Sequence, residues 1–90
     1  MAARRNRNEI IYDILDSLVK NNGQLKPTRL LYKANMSHSQ MKEYISELKD
    51  KDLLELTEEK SKQYYKLTTK GYEFFNNLRK IREMSDALGL

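Results

Sequence analysis

The sequence contains no cysteine, which excludes disulfides, thiolate zinc sites, iron–sulfur clusters and a thiol nucleophile, and fits a reducing interior. It contains one histidine, His38, and a lone imidazole without cysteines or paired carboxylates beside it makes no metal site. No apolar run approaches the roughly 18 residues of a membrane span, and the mean hydropathy of −0.84 agrees. A basic start followed by apolar residues has the outline of a signal peptide, but Asp13 and Asp16 interrupt the run and no small-residue cleavage site follows. The expectation is a soluble, cytoplasmic protein with no membrane partner. Phosphate-binding loops, dinucleotide fingerprints and nucleophile elbows are missing too. The adjacent acids Glu58 and Glu59 lie in a charged run without a nucleophile or apolar pocket, so no enzyme, cofactor or small-molecule ligand is indicated.

What the chain does have is enough for one small domain: 90 residues, 39% hydrophobic and 33% charged, which closes a single core and leaves no room for a deep enclosed site. Lys and Arg number 17 against 13 Asp and Glu, a net charge of +4. That sign favours nucleic acid or another anionic surface, although a surplus of this size is common among proteins that bind neither.

Residues 1–7 carry Arg4, Arg5 and Arg7 and almost nothing apolar, the pattern of a flexible basic arm. From Asn8, Ile10, Ile11, Ile14, Leu15, Leu18 and Val19 recur on one side of a helix, which Asn21, Asn22 and Gly23 end. Gln24 to Lys26 suit a very short strand. Pro27 fits the first turn of a second, short helix that carries Leu30, Leu31 and Ala34 inward and ends near Asn35, with Met36 buried after it. Ser37 and Gln40 form an S-x-x-Q capping box for a third helix, in which Met41, Tyr44, Ile45 and Leu48 share one face. Two strands, Leu53–Thr57 and Gln63–Leu67, flank the polar run Glu58–Lys62 and read as a hairpin. Thr68 or Thr69 caps a last helix through Tyr72, Phe74, Phe75, Leu78, Ile81, Met84 and Leu88. Gly71, early in that helix, predicts close backbone packing.

Two helices joined by a tight turn, followed by a hairpin with a polar tip, make a winged helix-turn-helix, an α+β and mostly α fold with a two-stranded wing and a long C-terminal helix. The expected division is the arm at 1–7, the winged-helix domain at 8–68 and a dimerisation helix at 69–90. The fold also serves in protein-docking modules, so function rests on the exposed residues. The stretches Glu9–Leu15, Thr28–Ser37 (with Tyr32-Lys33-Ala34-Asn35-Met36-Ser37 at its heart) and Leu67–Phe75 resemble the archaeal winged helix-turn-helix family of predicted transcriptional regulators, which includes small dimeric DNA-binding proteins. The resemblance runs from about Arg7 to Arg82. It implies duplex DNA binding, with the third helix in the major groove, the wing on the flanking backbone and the last helix pairing two chains. One departure stands out: the family usually has Gly before the first wing strand, and Asp52 occupies that place, so the turn there is expected to differ.

The third helix offers Ser37, His38, Ser39, Gln40, Lys42, Glu43 and Ser46 at or near its exposed N-terminal half, the part that reaches base edges. Gln pairs with adenine through two hydrogen bonds, Ser is adaptable, and Lys reaches guanine or phosphate; the plain alternative is a solvated face. Thr28 and Arg29 at the start of the second helix suit a phosphate clamp, or Arg29 pairs with a nearby acid. Lys60 and Lys62 at the wing tip face groove walls but sit beside Glu58 and Glu59. Arg4 and Arg5 in the arm suit a minor groove or remain a solvated tail. The six tyrosines read as amphipathic core rings, with Tyr32 the expected exception. In the last helix Phe74, Leu78, Ile81 and Leu88 follow a heptad-like seam that Ser85 weakens, while Tyr72 and Phe75 seal the domain's own core; the seam fits a homodimer, and the alternative is one wide face packed on its own domain. The expectation is a homodimeric double-stranded DNA-binding protein of the nucleoid, a regulator or a chromatin protein. Its rival is a protein-interaction module, favoured by the acids Glu43, Glu47 and Asp50 on the recognition helix.

Overall fold

The computed structural model describes residues 5–89. Four helices and three strands follow in the order α1 (Arg7–Val19), β1 (Gln24–Leu25), α2 (Pro27–Lys33), α3 (His38–Asp50), β2 (Leu54–Glu59), β3 (Lys62–Leu67) and α4 (Thr69–Ala87). The strands form one antiparallel sheet ordered β1-β3-β2. The hairpin runs in register from Leu54 opposite Leu67 to Glu59 opposite Lys62, and β1 adds Gln24 opposite Lys66 and Leu25 opposite Tyr65. This is a winged helix fold, and the short strand expected at Gln24 closes the sheet against the domain.

The core is purely apolar. Ile14, Leu15 and Leu18 of α1, Leu30 of α2 and Leu54 of β2 are fully buried, and Met41, Ile45, Leu48 and Phe75 join them with no buried polar residue among those described. Each such side chain contributes on the order of 1.5–3 kcal/mol through loss of water contact. Tyr12 packs against Phe75, ring centroids 5.2 Å apart, and the guanidinium of Arg82 lies 4.3 Å from the centre of the Tyr12 ring. This stack holds α4 across α1. Tyr12, Tyr44, Tyr64 and Tyr65 are half-buried. Tyr32 is 84% exposed, the exception the sequence anticipates.

The helix ends explain the two tight turns. At the end of α2 the Asn35 N–H bonds to the Tyr32 carbonyl and the Met36 N–H to the Leu31 carbonyl, with Asn35 at φ 53°: a Schellman closure. The end of α3 repeats it, Asp52 N–H to Lys49 and Leu53 N–H to Leu48, with Asp52 at φ 60°. The departure from glycine at position 52 therefore does not change the turn; aspartate takes the left-handed conformation that glycine would take at lower cost. Asp52→Gly is expected to stabilise the domain by roughly 0.5–1 kcal/mol, read as a rise of a few degrees in Tm, because the Asp52 group that bonds to the Thr68 hydroxyl at 2.6 Å is the backbone carbonyl and survives the change.

Some boundaries differ from the sequence reading: β1 stops at Leu25, α2 at Lys33, and β2 starts at Leu54 rather than Leu53. Helix α1 begins at Arg7, not Asn8, because the Asn6 side chain accepts the Glu9 N–H at 2.9 Å and caps it. The arm expected at residues 1–7 does not extend free to Arg7: Arg5 donates to Asp13 at 2.7 Å and to the Ala34 and Asn35 carbonyls at 2.8 and 2.7 Å, and Arg7 pairs with Glu47. The wing strands reach further than expected, closing over two residues, Lys60 and Ser61, both at positive φ, as a two-residue hairpin requires.

Candidate nucleic-acid interface

Helix α3 presents one apolar and one polar face because its apolar residues recur at steps of three and four. Met41, Ile45 and Leu48 are buried, while Ser37, His38, Ser39, Gln40, Lys42, Glu43 and Ser46 are all exposed. The capping box is present in both directions: the Gln40 N–H bonds to Ser37 Oγ at 3.3 Å, and Gln40 Oε1 accepts the Ser37 N–H at 3.2 Å. That closure fixes the helix start but engages the carboxamide oxygen that a two-bond contact with adenine requires. Ser39 Oγ lies 3.3 Å from Ser37 Oγ. Among the exposed α3 residues named above, Lys42 is the side chain with the longest reach and a full positive charge.

Two crevices flank Lys42. One lies between α2, α3 and the sheet and is lined by Pro27, Thr28, Leu31, His38, Met41, Lys42 and Tyr65. The other runs along the far side of α3 past Ile45, Ser46, Lys49 and Asp50. Tyr65 lines both. The sequence placed Tyr65 in the core, and it is half-buried, but its position on the sheet puts it in the angle between the wing and α3. Alternation along β3, with Leu67 buried two residues on, signals which face it takes.

The acids of α3 are less free than the sequence implies. Glu47 accepts from Arg7 and also from Lys51 at 3.0 Å, and Arg7 lies 5.9 Å over the Tyr44 ring. Glu47 is thus neutralised by residues from α1 and the end of α3, leaving Glu43 and Asp50 as the carboxylates of that helix without an ion pair among the described residues. Residues 40 positions apart meet here, which no local pattern reveals.

Thr28 and Arg29 are exposed on the first turn of α2. With seven residues, α2 has too few aligned peptide dipoles to hold an anion through its N-terminus, so any contact there rests on the side chains. Among the described residues no acid pairs with Arg29 within 4.0 Å. At the wing tip Lys60 is exposed at the turn, and Lys62 stands opposite Glu59 in the ladder. Arg5 is turned inward by the three bonds described above; Arg4 lies outside the described residues. The lysine at the end of α1, Lys20, has its pKa raised by a hydrogen bond to Asp16 and by that carboxylate's charge, so it stays charged well past neutrality.

On α4 the seam residues divide. Leu78 is half-buried and packs partly against the domain's own core. Phe74 is 37% exposed, Ile81 62%, Met84 63% and Leu88 69%, an apolar stripe along the outer side of the helix. Tyr72, expected to seal the core, is 38% exposed, yet its hydroxyl sits over Gly23, where a Cβ would collide with it.

A family profile described as winged helix-turn-helix matches residues 4–86. No curated protein sequence gives a significant match. Among solved structures, the chain is similar to Sso10a-2, a DNA-binding protein from Sulfolobus solfataricus, at 23% identity and a TM-score of 0.78, covering 93% of this chain and 85% of that one. F93 from STIV, a winged-helix DNA-binding protein, is similar at 25% identity and a TM-score of 0.79, covering 88% and 92%. The PcaV transcriptional regulator from Streptomyces coelicolor shares the fold at 21% identity and a TM-score of 0.76, with 87% of this chain on 60% of that one. On the match across residues 4–86 and the architecture described above, the chain belongs to the winged helix-turn-helix family.

Proposed function

We propose that this protein binds double-stranded DNA as a homodimer, with the N-terminal half of α3 in the major groove, the start of α2 and the wing on the flanking backbone, and α4 joining two chains. The observation that carries the reading is the exposed polar face of α3 around Lys42, on a helix whose Glu47 is already neutralised, with Arg29, unpaired among the described residues, exposed on the neighbouring first turn of α2. The named similar proteins are DNA-binding proteins, which supports DNA as the partner. With Gln40 engaged in its own cap, sequence reading falls to Lys42, His38 and Ser46, and phosphate contacts dominate affinity. Such a balance suits a transcription regulator of modest selectivity or a nucleoid-associated protein.

Fluorescence anisotropy of a labelled random-sequence duplex at about 50 and 200 mM salt tests the reading. If each protomer neutralises about three phosphates, the dimer gives a log–log salt slope near −5. Lys42→Ala and Arg29→Ala, each removing one cation from both protomers, are expected to make that slope shallower by about 2 and to weaken binding severalfold without lowering Tm. No binding at the lower salt would exclude non-specific DNA association and move the assignment to a protein-docking module, for which the exposed Tyr32 would be the first residue to probe.

A further inference from the structure

A second basic groove runs along the outer edge of the sheet, away from α3. It lies where the turn after α1, the edge strand β1, the first turn of α2 and β3 meet, and its lining includes Lys20, Asn22, Gln24, Lys26, Arg29 and Tyr64. Among the described residues no carboxylate lines it. The other hollows on the surface differ in this respect: one near the start of α4 holds Asp52, Glu55 and Glu73 beside its lysines, one beside α1 holds Asp13 and Asp16, and the far side of α3 holds Asp50. The crevice on the near side of α3 is free of acids but brings a single lysine, Lys42, with His38.

Within the groove Lys20 is spent on Asp16, 3.0 Å away. Lys26 and Arg29 form no ion pair among the described residues. Around these two cations stand the amides of Asn22 and Gln24 and the phenol of Tyr64, all able to donate. Exposed cations with neutral donors in an open trough suit a string of phosphates better than one small enclosed anion, because each phosphate keeps part of its hydration and none must be buried.

The placement of two tyrosines ties this groove to the α3 surface. Tyr64 and Tyr65 are consecutive on β3 and point to opposite faces of the sheet; Tyr65 lines the crevices beside α3, and Tyr64 lines the edge groove. The first turn of α2 is the ridge between them: Pro27 and Thr28 face α3, and Lys26 and Arg29 face the groove. We infer that the groove of Lys26, Arg29 and Tyr64 is a second contact for the DNA backbone, reached where the strand passes over the start of α2, so that each protomer covers duplex beyond the segment held by α3 and the wing. This inference rests on the DNA-binding reading above and extends its footprint.

The test uses the full chain and a labelled random-sequence duplex of about three helical turns, titrated across a salt series. Lys26→Gln removes one cation from each protomer of the dimer and is expected to make the log–log slope shallower by about 2. Tyr64→Phe keeps the ring in place and removes the hydroxyl; it is expected to weaken binding about three- to tenfold with the slope unchanged, since a neutral donor releases no counterion. Lys70→Gln, in the acid-lined hollow at the start of α4, removes the same charge elsewhere and should leave the slope alone. Melting curves confirm that all three variants fold. Wild-type slope and affinity in both Lys26→Gln and Tyr64→Phe would overturn the inference while Lys42→Ala still weakened binding and kept the DNA reading intact. An equal slope change in Lys70→Gln would also overturn it, by reducing the effect to net charge. Failure of the unaltered protein to bind would instead remove the DNA reading itself.

Discussion

Gly71→Ala is expected to lower Tm by roughly 5–15 °C, although alanine is the better helix former by about 1 kcal/mol. The two effects have opposite signs, and geometry decides between them. A Cβ at Gly71 would come closer than 3.0 Å to the carbonyl oxygen of Leu53, a backbone atom, and would touch the Leu67 side chain. The Leu53 carbonyl cannot retreat freely, since it accepts the Thr68 N–H at 3.2 Å, and Thr68 is the residue whose hydroxyl caps α4 through the Gly71 N–H at 2.9 Å. Relief of the clash would pull the helix start away from the α3–β2 turn and break that linked set of bonds. Overpacking of this kind costs about 1–3 kcal/mol and more where the obstruction is backbone. Thermal or urea unfolding of the single variant gives the answer, and a Tm above that of the parent would mean that α4 is not seated against Leu53.

Ile81→Asp is expected to turn a dimer into a monomer and to cut DNA affinity at least about a hundredfold. The stripe of Phe74, Ile81, Met84 and Leu88 leaves four large apolar side chains on the outer side of α4, and a two-fold partner would cover them with the same four residues of its own. A carboxylate at position 81 would enter that contact twice, once from each chain, and would have to shed its water among apolar side chains. Sedimentation equilibrium should show the mass halving. The salt slope should fall from near −5 to about −2.5, because a lone protomer releases half the counterions. Because Ile81 is 62% exposed in the single chain, Tm at low concentration should change little, which separates loss of dimer from loss of fold. A parent protein that sediments as a monomer would refute the seam.

Helix positions and their faces were legible in the sequence because they depend on spacing. Ile10, Ile14, Leu15 and Leu18 fall on one side of any helix with 3.6 residues per turn, and the chain buries them as that periodicity demands. The same holds for Met41, Ile45 and Leu48, and for the capping box of Ser37 and Gln40, whose partners are three residues apart. Gly71 was legible for a related reason: a glycine inside a helix is costly unless something stands where its side chain would be, and the Leu53 carbonyl stands there.

Other features required the third dimension. The arginines at the start of the chain have the composition of a free arm, yet Arg5 finds Asp13 and two carbonyls at the end of α2, and Arg7 finds Glu47. Those partners are 8 to 40 residues away, and no window of sequence contains both halves of the pairs at 29, 30 and 40. Leu78 fits a heptad seam by spacing, but α4 rolls onto α1 through the contacts of Tyr12, Phe75 and Arg82, and that roll turns Leu78 toward the core and Met84 outward. Asp52 illustrates the limit from the other side: its residue type disfavours the left-handed turn, and the pair of Schellman bonds with the burial of Leu53 holds it there.

The amino-acid sequence by itself therefore determined where the helices lie, which faces are apolar, where the chain turns and what charge the surface carries, since periodicity, capping and composition act over a few residues. The tertiary structure alone decided which charges remain available. Glu47 and Arg5 are consumed by distant partners, whereas Lys26 and Arg29 have none among the described residues and share a groove with Tyr64. An ion pair depends on a separation of a few ångströms between side chains, and chain folding, rather than sequence spacing, sets that distance.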